Sequence, residues 1–166
     1  MNTKEIKIGN VKIGGGNSVA IQSMANVKTA DYEKCIEQIN KLAAAGCDII
    51  RVAVPDEKSA KAISKIKAKI SIPLVADIHF DYRLALESIE NGVDKIRINP
   101  GNIGSEEGIK LLCDKAREYK IPIRIGVNSG SIEKDILKKY SHPTSEAMIE
   151  SAKRHVDILN KFDFDD

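Results

Sequence analysis

Three arginines stand inside otherwise apolar runs: Ile50-Arg51-Val52, Ile96-Arg97-Ile98 and Ile123-Arg124-Ile125. Burying an unpaired charge is costly, so a guanidinium in such a setting needs a compensating anion. Arginine stays charged and presents a planar fork of donors, which matches phosphate or carboxylate oxygens two at a time. Three such residues point to one shared, strongly anionic ligand. Asp77 and His79 occur in Val75-Ala76-Asp77-Ile78-His79, Asn99 follows Arg97 at a spacing of two, and Asn128 lies four residues after Arg124. Together they make a polar set that can bind and orient an anion.

The elements that must position this set follow from alternation. Ile50, Val52 and Val54 share one parity and Arg51 and Ala53 the other; Leu74, Ala76, Ile78 and Phe80 oppose Val75, Asp77 and His79. Arg97 and Asn99 oppose Ile96 and Ile98, while Arg124, Gly126 and Asn128 oppose Ile123, Ile125 and Val127. Successive strand side chains point to opposite faces, so one face is aliphatic and the other collects Arg, Asp, His and Asn near the strand ends. A solvated antiparallel sheet would also alternate. Helical patterns between the strands require parallel crossovers instead. The expectation is an α/β fold, a partial TIM barrel of about five of the eight parallel strands, with its polar site at the C-terminal rim.

Along the chain, Ile6 to Ile13 alternates around Gly9-Asn10 and predicts an N-terminal β-hairpin. The Gly14-Gly15-Gly16 run that follows has no helix behind it and reads as a turn rather than a phosphate cradle. Barrel strands are expected at Val19–Met24, Asp48–Val54, Leu74–His79, Lys95–Asn99 and Ile121–Val127. Helices are expected over 30–45 with Thr29 as its cap, 57–69, 81–90, from Ser105 onward, 132–139, and 145–161 with Thr144 as its cap. The segment from Pro100 to Gly104 reads as a loop. His142 reads as a loop residue and His155 as a helix-surface residue.

Composition bounds the rest. The 166 residues carry 26 basic and 24 acidic side chains, a net charge of +2, with 42% hydrophobic residues. That is an ordinary globular balance, and no basic block points to nucleic acid. No apolar run approaches a membrane span and no signal-peptide core is present, so the chain reads as cytoplasmic. Cys35, Cys47 and Cys113 are odd in number and far apart; they read as reduced, buried thiols, with no metal set. Five strands fall short of a closed barrel of eight. The reading is therefore an N-terminal part of a barrel, residues 1–166, with its remaining strands absent.

The motifs Ile21-Gln22-Ser23-Met24, Cys47 to Pro55, Val75-Ala76-Asp77-Ile78-His79-Phe80, Arg97 to Gly104 and Arg124 to Ser131 occur in a recognisable order and spacing. The chain resembles the N-terminal barrel of the 4-hydroxy-3-methylbut-2-enyl diphosphate synthase family over essentially its whole length. The resemblance implies reductive ring opening and dehydration of 2-C-methyl-D-erythritol 2,4-cyclodiphosphate in non-mevalonate isoprenoid biosynthesis. It also implies a 4Fe-4S iron-sulfur cluster in a C-terminal domain, flavodoxin or ferredoxin as electron donor, and a homodimer when complete. Carried over by motif, Arg51, Arg97, Asn99, Arg124 and Asn128 are expected to bind substrate, and His79 and Asp77 to act at the reacting end. Amides at the helix start near Ser105 are a further expected anion contact. The cluster ligands are not among these residues, so the chain alone is expected to be inactive.

Three other readings compete. A pterin-binding barrel of the dihydropteroate synthase type also binds diphosphate at strand ends, but its characteristic first-strand segment is missing. A Schiff-base aldolase barrel wants a lysine at a strand's C-terminal end, whereas Lys95 starts its strand. A non-catalytic, truncated barrel fragment is the reading from another class.

Overall fold

The computed structural model describes residues 3–99 and 103–165. A hairpin of β1 (Ile6–Ile8) and β2 (Val11–Ile13) comes first. Gly9 is the first of its two turn residues and takes φ 56°, which a type II′ turn requires of that position. Strands and helices then alternate: β3 (Gln22–Met24), α1 (Tyr32–Ala44), β4 (Ile49–Ala53), α2 (Glu57–Lys67), β5 (Leu74–Asp77), α3 (Tyr82–Glu90), β6 (Lys95–Ile98), α4 (Glu106–Tyr119) and β7 (Ile123–Ile125). A short turn of 3-10 helix at Ser129–Ser131 leads to α5 (Lys134–Tyr140) and α6 (Ser145–Asn160).

The sheet runs β3-β4-β5-β6-β7 with every neighbouring pair parallel, the curved five-strand portion of a barrel that the alternation predicts. Its aliphatic face carries the main core. Ile50, Val52, Leu74, Ala76, Ile96 and Ile98 pack beneath Ile39, Ile63, Ile66, Ile89 and Leu112 of the helices. Burying each such side chain contributes ~1.5–3 kcal/mol. On the other face, at the strand starts, Ile49 and Val75 are buried with Ile8, so the hairpin floors that face from below. Two rows of paired residues cross this inner face. The lower is Met24, Arg51, Val75, Lys95; the upper is Ala53, Asp77, Arg97, Arg124.

Helix starts follow the cap chemistry in most places. The Asp56, Asp81, Ser105 and Thr144 side chains accept from the amides of Ser59, Arg83, Gly108 and Ala147. Thr29 departs from expectation. α1 begins at Tyr32 after Asp31, and the buried Thr29 hydroxyl donates instead to the Ala53 carbonyl at 2.6 Å. A carbonyl at the very end of a paired strand needs that donor more than a solvated helix start does.

The expected first barrel strand is shorter than its apolar pattern. Only Gln22–Met24 forms strand pairs, and Val19 is 94% exposed; the ladder ends at Ile21, whose carbonyl accepts the Asp48 amide and whose amide donates to the Asp48 carboxylate. Ile132 is not helical either. It is buried in a small cluster with Ile136 and Ala147, so α5 starts two residues later. Pro100, Gly101 and Asn102 of the expected loop lie outside the described residues. Ile103, which follows them, is buried in the main core, and its carbonyl accepts the Tyr82 amide.

His155 corrects the sequence reading most clearly. It is fully buried, the third of a stripe Ala147, Ser151, His155, Leu159 on the inner side of α6. Glu133 explains it: one carboxylate oxygen accepts the Ser151 hydroxyl at 2.7 Å, and the other lies 2.9 Å from His155 Nε2 without hydrogen-bond alignment. Burial pushes the His155 pKa down from its ordinary 6.5, and the Glu133 carboxylate opposes that. His142 is exposed in the connection between α5 and α6.

Candidate functional site

Asp77 organises the inner face. It ends β5 with its side chain 5% exposed, and three cationic or potentially cationic groups converge on it. Oδ1 accepts Arg97 Nη1 at 2.9 Å and lies 3.2 Å from His79 Nε2, while Oδ2 is 3.5 Å from Arg51 Nε. The four residues come from three adjacent strands, β4, β5 and β6, and from the segment just past β5. Parallel register makes the meeting possible, since Asp77 pairs with Arg97 and stands one row above Arg51.

Each arginine is held by a second contact. Arg97 Nη2 donates to the Gly126 carbonyl at 3.2 Å. A Cβ at Gly126 would overlap that guanidinium, so glycine there is a seat for Arg97 rather than a turn device. Arg51 directs Nε and Nη2 to the Met24 sulfur at 3.2 and 3.1 Å, a weak acceptor that leaves donor capacity for an anion. His79 is 53% exposed and sits edge-to-face with the exposed Phe80, their rings 5.9 Å apart, at the open end of the site.

The remaining expected residues occupy the same rim without touching Asp77. Asn99 is buried just past β6. Arg124 pairs in register with Arg97 on the edge strand β7 and is exposed. Asn128 turns its side-chain oxygen back onto the Gly130 amide at 3.0 Å, which leaves its NH2 end as the donor available to a ligand. At the start of α4, Ser105 takes the Gly108 amide with its hydroxyl and the Ile109 amide with its carbonyl. Those two donors are thus already occupied. Met24 and Gly126 were not singled out from sequence. The only local signal for Gly126 is that a residue without a side chain interrupts the polar parity between Arg124 and Asn128.

The described residues do not fit a metal or cluster site. No group of three or more His, Cys, Asp or Glu side chains converges among them. Cys35, Cys47 and Cys113 are all buried and free, and burial pushes the Cys35 and Cys113 thiols up to about 11, away from the thiolate a metal needs. No helix among the described residues is long and apolar enough to cross a membrane. A groove of about 840 Å³ lies at the opposite end of the strands, between the hairpin, Pro122 and Phe164. Its lining mixes Lys7, Arg117 and Lys120 with Glu5 and Asp94, so it lacks the one-sided charge of the rim.

Comparison with known proteins adds the following. The family model described as the GcpE TIM-barrel domain matches residues 3–166. The chain is 64% identical over 163 residues to the 4-hydroxy-3-methylbut-2-en-1-yl diphosphate synthase (flavodoxin) of Caldicellulosiruptor saccharolyticus, covering 98% of this chain and 47% of that protein. It is 64% identical over 164 residues to the protein of the same name from Caldanaerobacter subterraneus, covering 99% and 46%. The Fusobacterium nucleatum protein of that name is 57% identical over 165 residues, covering 99% and 47%. The chain thus spans about half the length of the curated relatives it matches. Among solved structures, dihydropteroate synthase of Yersinia pestis superposes with a TM-score of 0.62 at 9% identity, over 93% of this chain and 58% of that one. The Vibrio fischeri enzyme gives 0.61 at 12%, over 98% and 63%. At such identity the likeness concerns the fold alone.

Proposed function

Because this chain belongs to the family of the GcpE TIM-barrel domain, we propose that its inner-face cations hold the diphosphate of 2-C-methyl-D-erythritol 2,4-cyclodiphosphate. On this reading the residues form the substrate-binding part of a 4-hydroxy-3-methylbut-2-enyl diphosphate synthase, a cytoplasmic oxidoreductase of isoprenoid biosynthesis. The observation that carries it is the convergence of Arg51, Arg97 and His79 on the single carboxylate of Asp77, with Arg124 beside them. The names of the relatives support the choice of substrate.

Arg51, Arg97 and Arg124 take the diphosphate oxygens as charged, forked donors. Asn99 and the NH2 end of Asn128 add neutral donors from the rim. Asp77 holds Arg97 and Arg51 in position while a second anion approaches, and it orients the His79 ring. His79, the most exposed of the converging groups, hydrogen-bonds a phosphate oxygen or passes a proton to the departing hydroxyl. Electrons come from flavodoxin, which the relatives carry in their names. The residues described do not fit the 4Fe-4S cluster that would deliver them: no group of three or more His, Cys, Asp or Glu side chains converges among them and the cysteines are buried apart. On this reading the remaining strands, a cluster-bearing domain and a homodimer are features of the complete protein.

Calorimetric titration with the cyclodiphosphate tests the reading. The chain should bind it, and Arg97→Ala should weaken binding by tenfold or more, since a hydrogen bond to a charged group contributes ~1.5–3 kcal/mol. Equal affinity in the two proteins would remove Arg97 from the ligand and overturn the assignment.

A further inference from the structure

Lys95 has no task in the reading above, and its surroundings ask for one. It opens β6 on the same face as Arg97, in the lower row with Met24, Arg51 and Val75, and is 8% exposed. Among the described residues no carboxylate lies within ion-pair distance of its ammonium. The adjacent Asp94 is engaged elsewhere, accepting the Leu74 amide and pairing with Lys67 beside the hairpin turn. The carboxylate on the inner face, Asp77, is already shared by Arg51, Arg97 and His79. Burial pushes the Lys95 pKa below the ordinary lysine value, and the nearby positive charge of Arg124 pushes it further the same way.

A lysine nine-tenths removed from water, beside another cation and without an anion, carries an electrostatic debt. The inner face as a whole shares the imbalance: Lys95, Arg51, Arg97 and Arg124 stand against Asp77. An anion of two or more negative charges would balance it. Geometry allows one anion to serve both rows. Two residues of strand rise amount to ~6.6 Å, about the reach of an extended lysine side chain. A stem of that length spans the step between the two rows when it lies along the strand toward Arg124, the cation whose charge acts on it.

We propose that Lys95 is a further anion-binding residue, its ammonium forming the inner contact of the diphosphate site beneath Asp77, Arg97 and Arg124. The inference rests on the diphosphate reading of the inner face and deepens it. Lysine suits this place because its charge is compact and its stem flexible, so it can follow an oxygen that the rigid arginine forks do not reach.

The test uses inorganic diphosphate as the calorimetric probe, with Lys95→Met and Lys95→Arg compared with the unsubstituted chain and thermal unfolding measured alongside. The methionine variant should bind at least tenfold more weakly, yet unfold at the same or a higher temperature, because it removes a buried charge that nothing in the protein neutralises. The arginine variant should keep most of the affinity. On raising the pH from 7 toward 10, the unsubstituted chain should lose affinity before the arginine variant does, since only the lysine gives up its proton in that range. If Lys95→Met unfolds well below the unsubstituted chain while its folded form binds diphosphate equally tightly, Lys95 is a structural charge and the inference fails. If the unsubstituted chain does not bind diphosphate at all, the reading beneath the inference fails first.

Discussion

A single carboxylate sets the geometry of the inner face. Asp77 fixes Arg97 by a charge-assisted hydrogen bond and keeps Arg51 and His79 within ion-pair reach. Gly126 is its counterpart, since the space left by a missing side chain is where the Arg97 guanidinium lies. Gly126→Ala should therefore displace that guanidinium without touching the core. Diphosphate affinity should fall by about tenfold, which corresponds to ~1.4 kcal/mol, while far-UV circular dichroism stays the same. Unchanged affinity would mean that Arg97 can bind from another rotamer and that the seat is unimportant. The parity of Arg51, Asp77, Arg97 and Arg124 could be read from sequence because strand alternation is a local property. The seat itself could not, because it depends on which residue just past β7 the Arg97 side chain reaches.

Among the elements, helices show most plainly what a local pattern misses. Thr144 and Ser105 cap the helices that the sequence assigns to them, whereas Thr29 serves a carbonyl 24 residues away. His155, outside the strand-end pattern, is expected on the helix surface and is instead buried. Glu133, on the approach to α5, makes that side of the helix an inner one. This arrangement has a pH signature. The folded-state pKa of His155 is depressed, so the folded protein takes up its proton less readily than the unfolded chain does. The stability tied to a neutral His155 is present above about pH 6.5 and is lost as the pH falls below it toward the depressed value. Thermal unfolding should therefore move to lower temperature between pH 7 and pH 5. In His155→Gln, which keeps a polar side chain beside Glu133 but does not titrate, that slope should flatten. An identical slope in both proteins would show that other groups govern the acid response.

The molecule as a whole is a sheet with two ends. β3 and β7 each have a neighbour on one side only, and Val19 and Ile21 stand exposed just before β3. Unpaired edges beside apolar side chains recruit other chains. The 166-residue chain should associate as its concentration rises, and Ile21→Lys should reduce the association seen by light scattering without altering secondary structure. Equal scattering from both would place the sticky surface elsewhere. The hairpin floor has a consequence in time rather than space. β1 and β2 leave the ribosome before the residues their apolar side rests on, Ile49 and Val75, are made. At ~5–20 residues per second, several seconds of synthesis separate the hairpin from its seat. The floor of the site is thus made before the strands it closes, and must wait for β4 and β5 to be put in place.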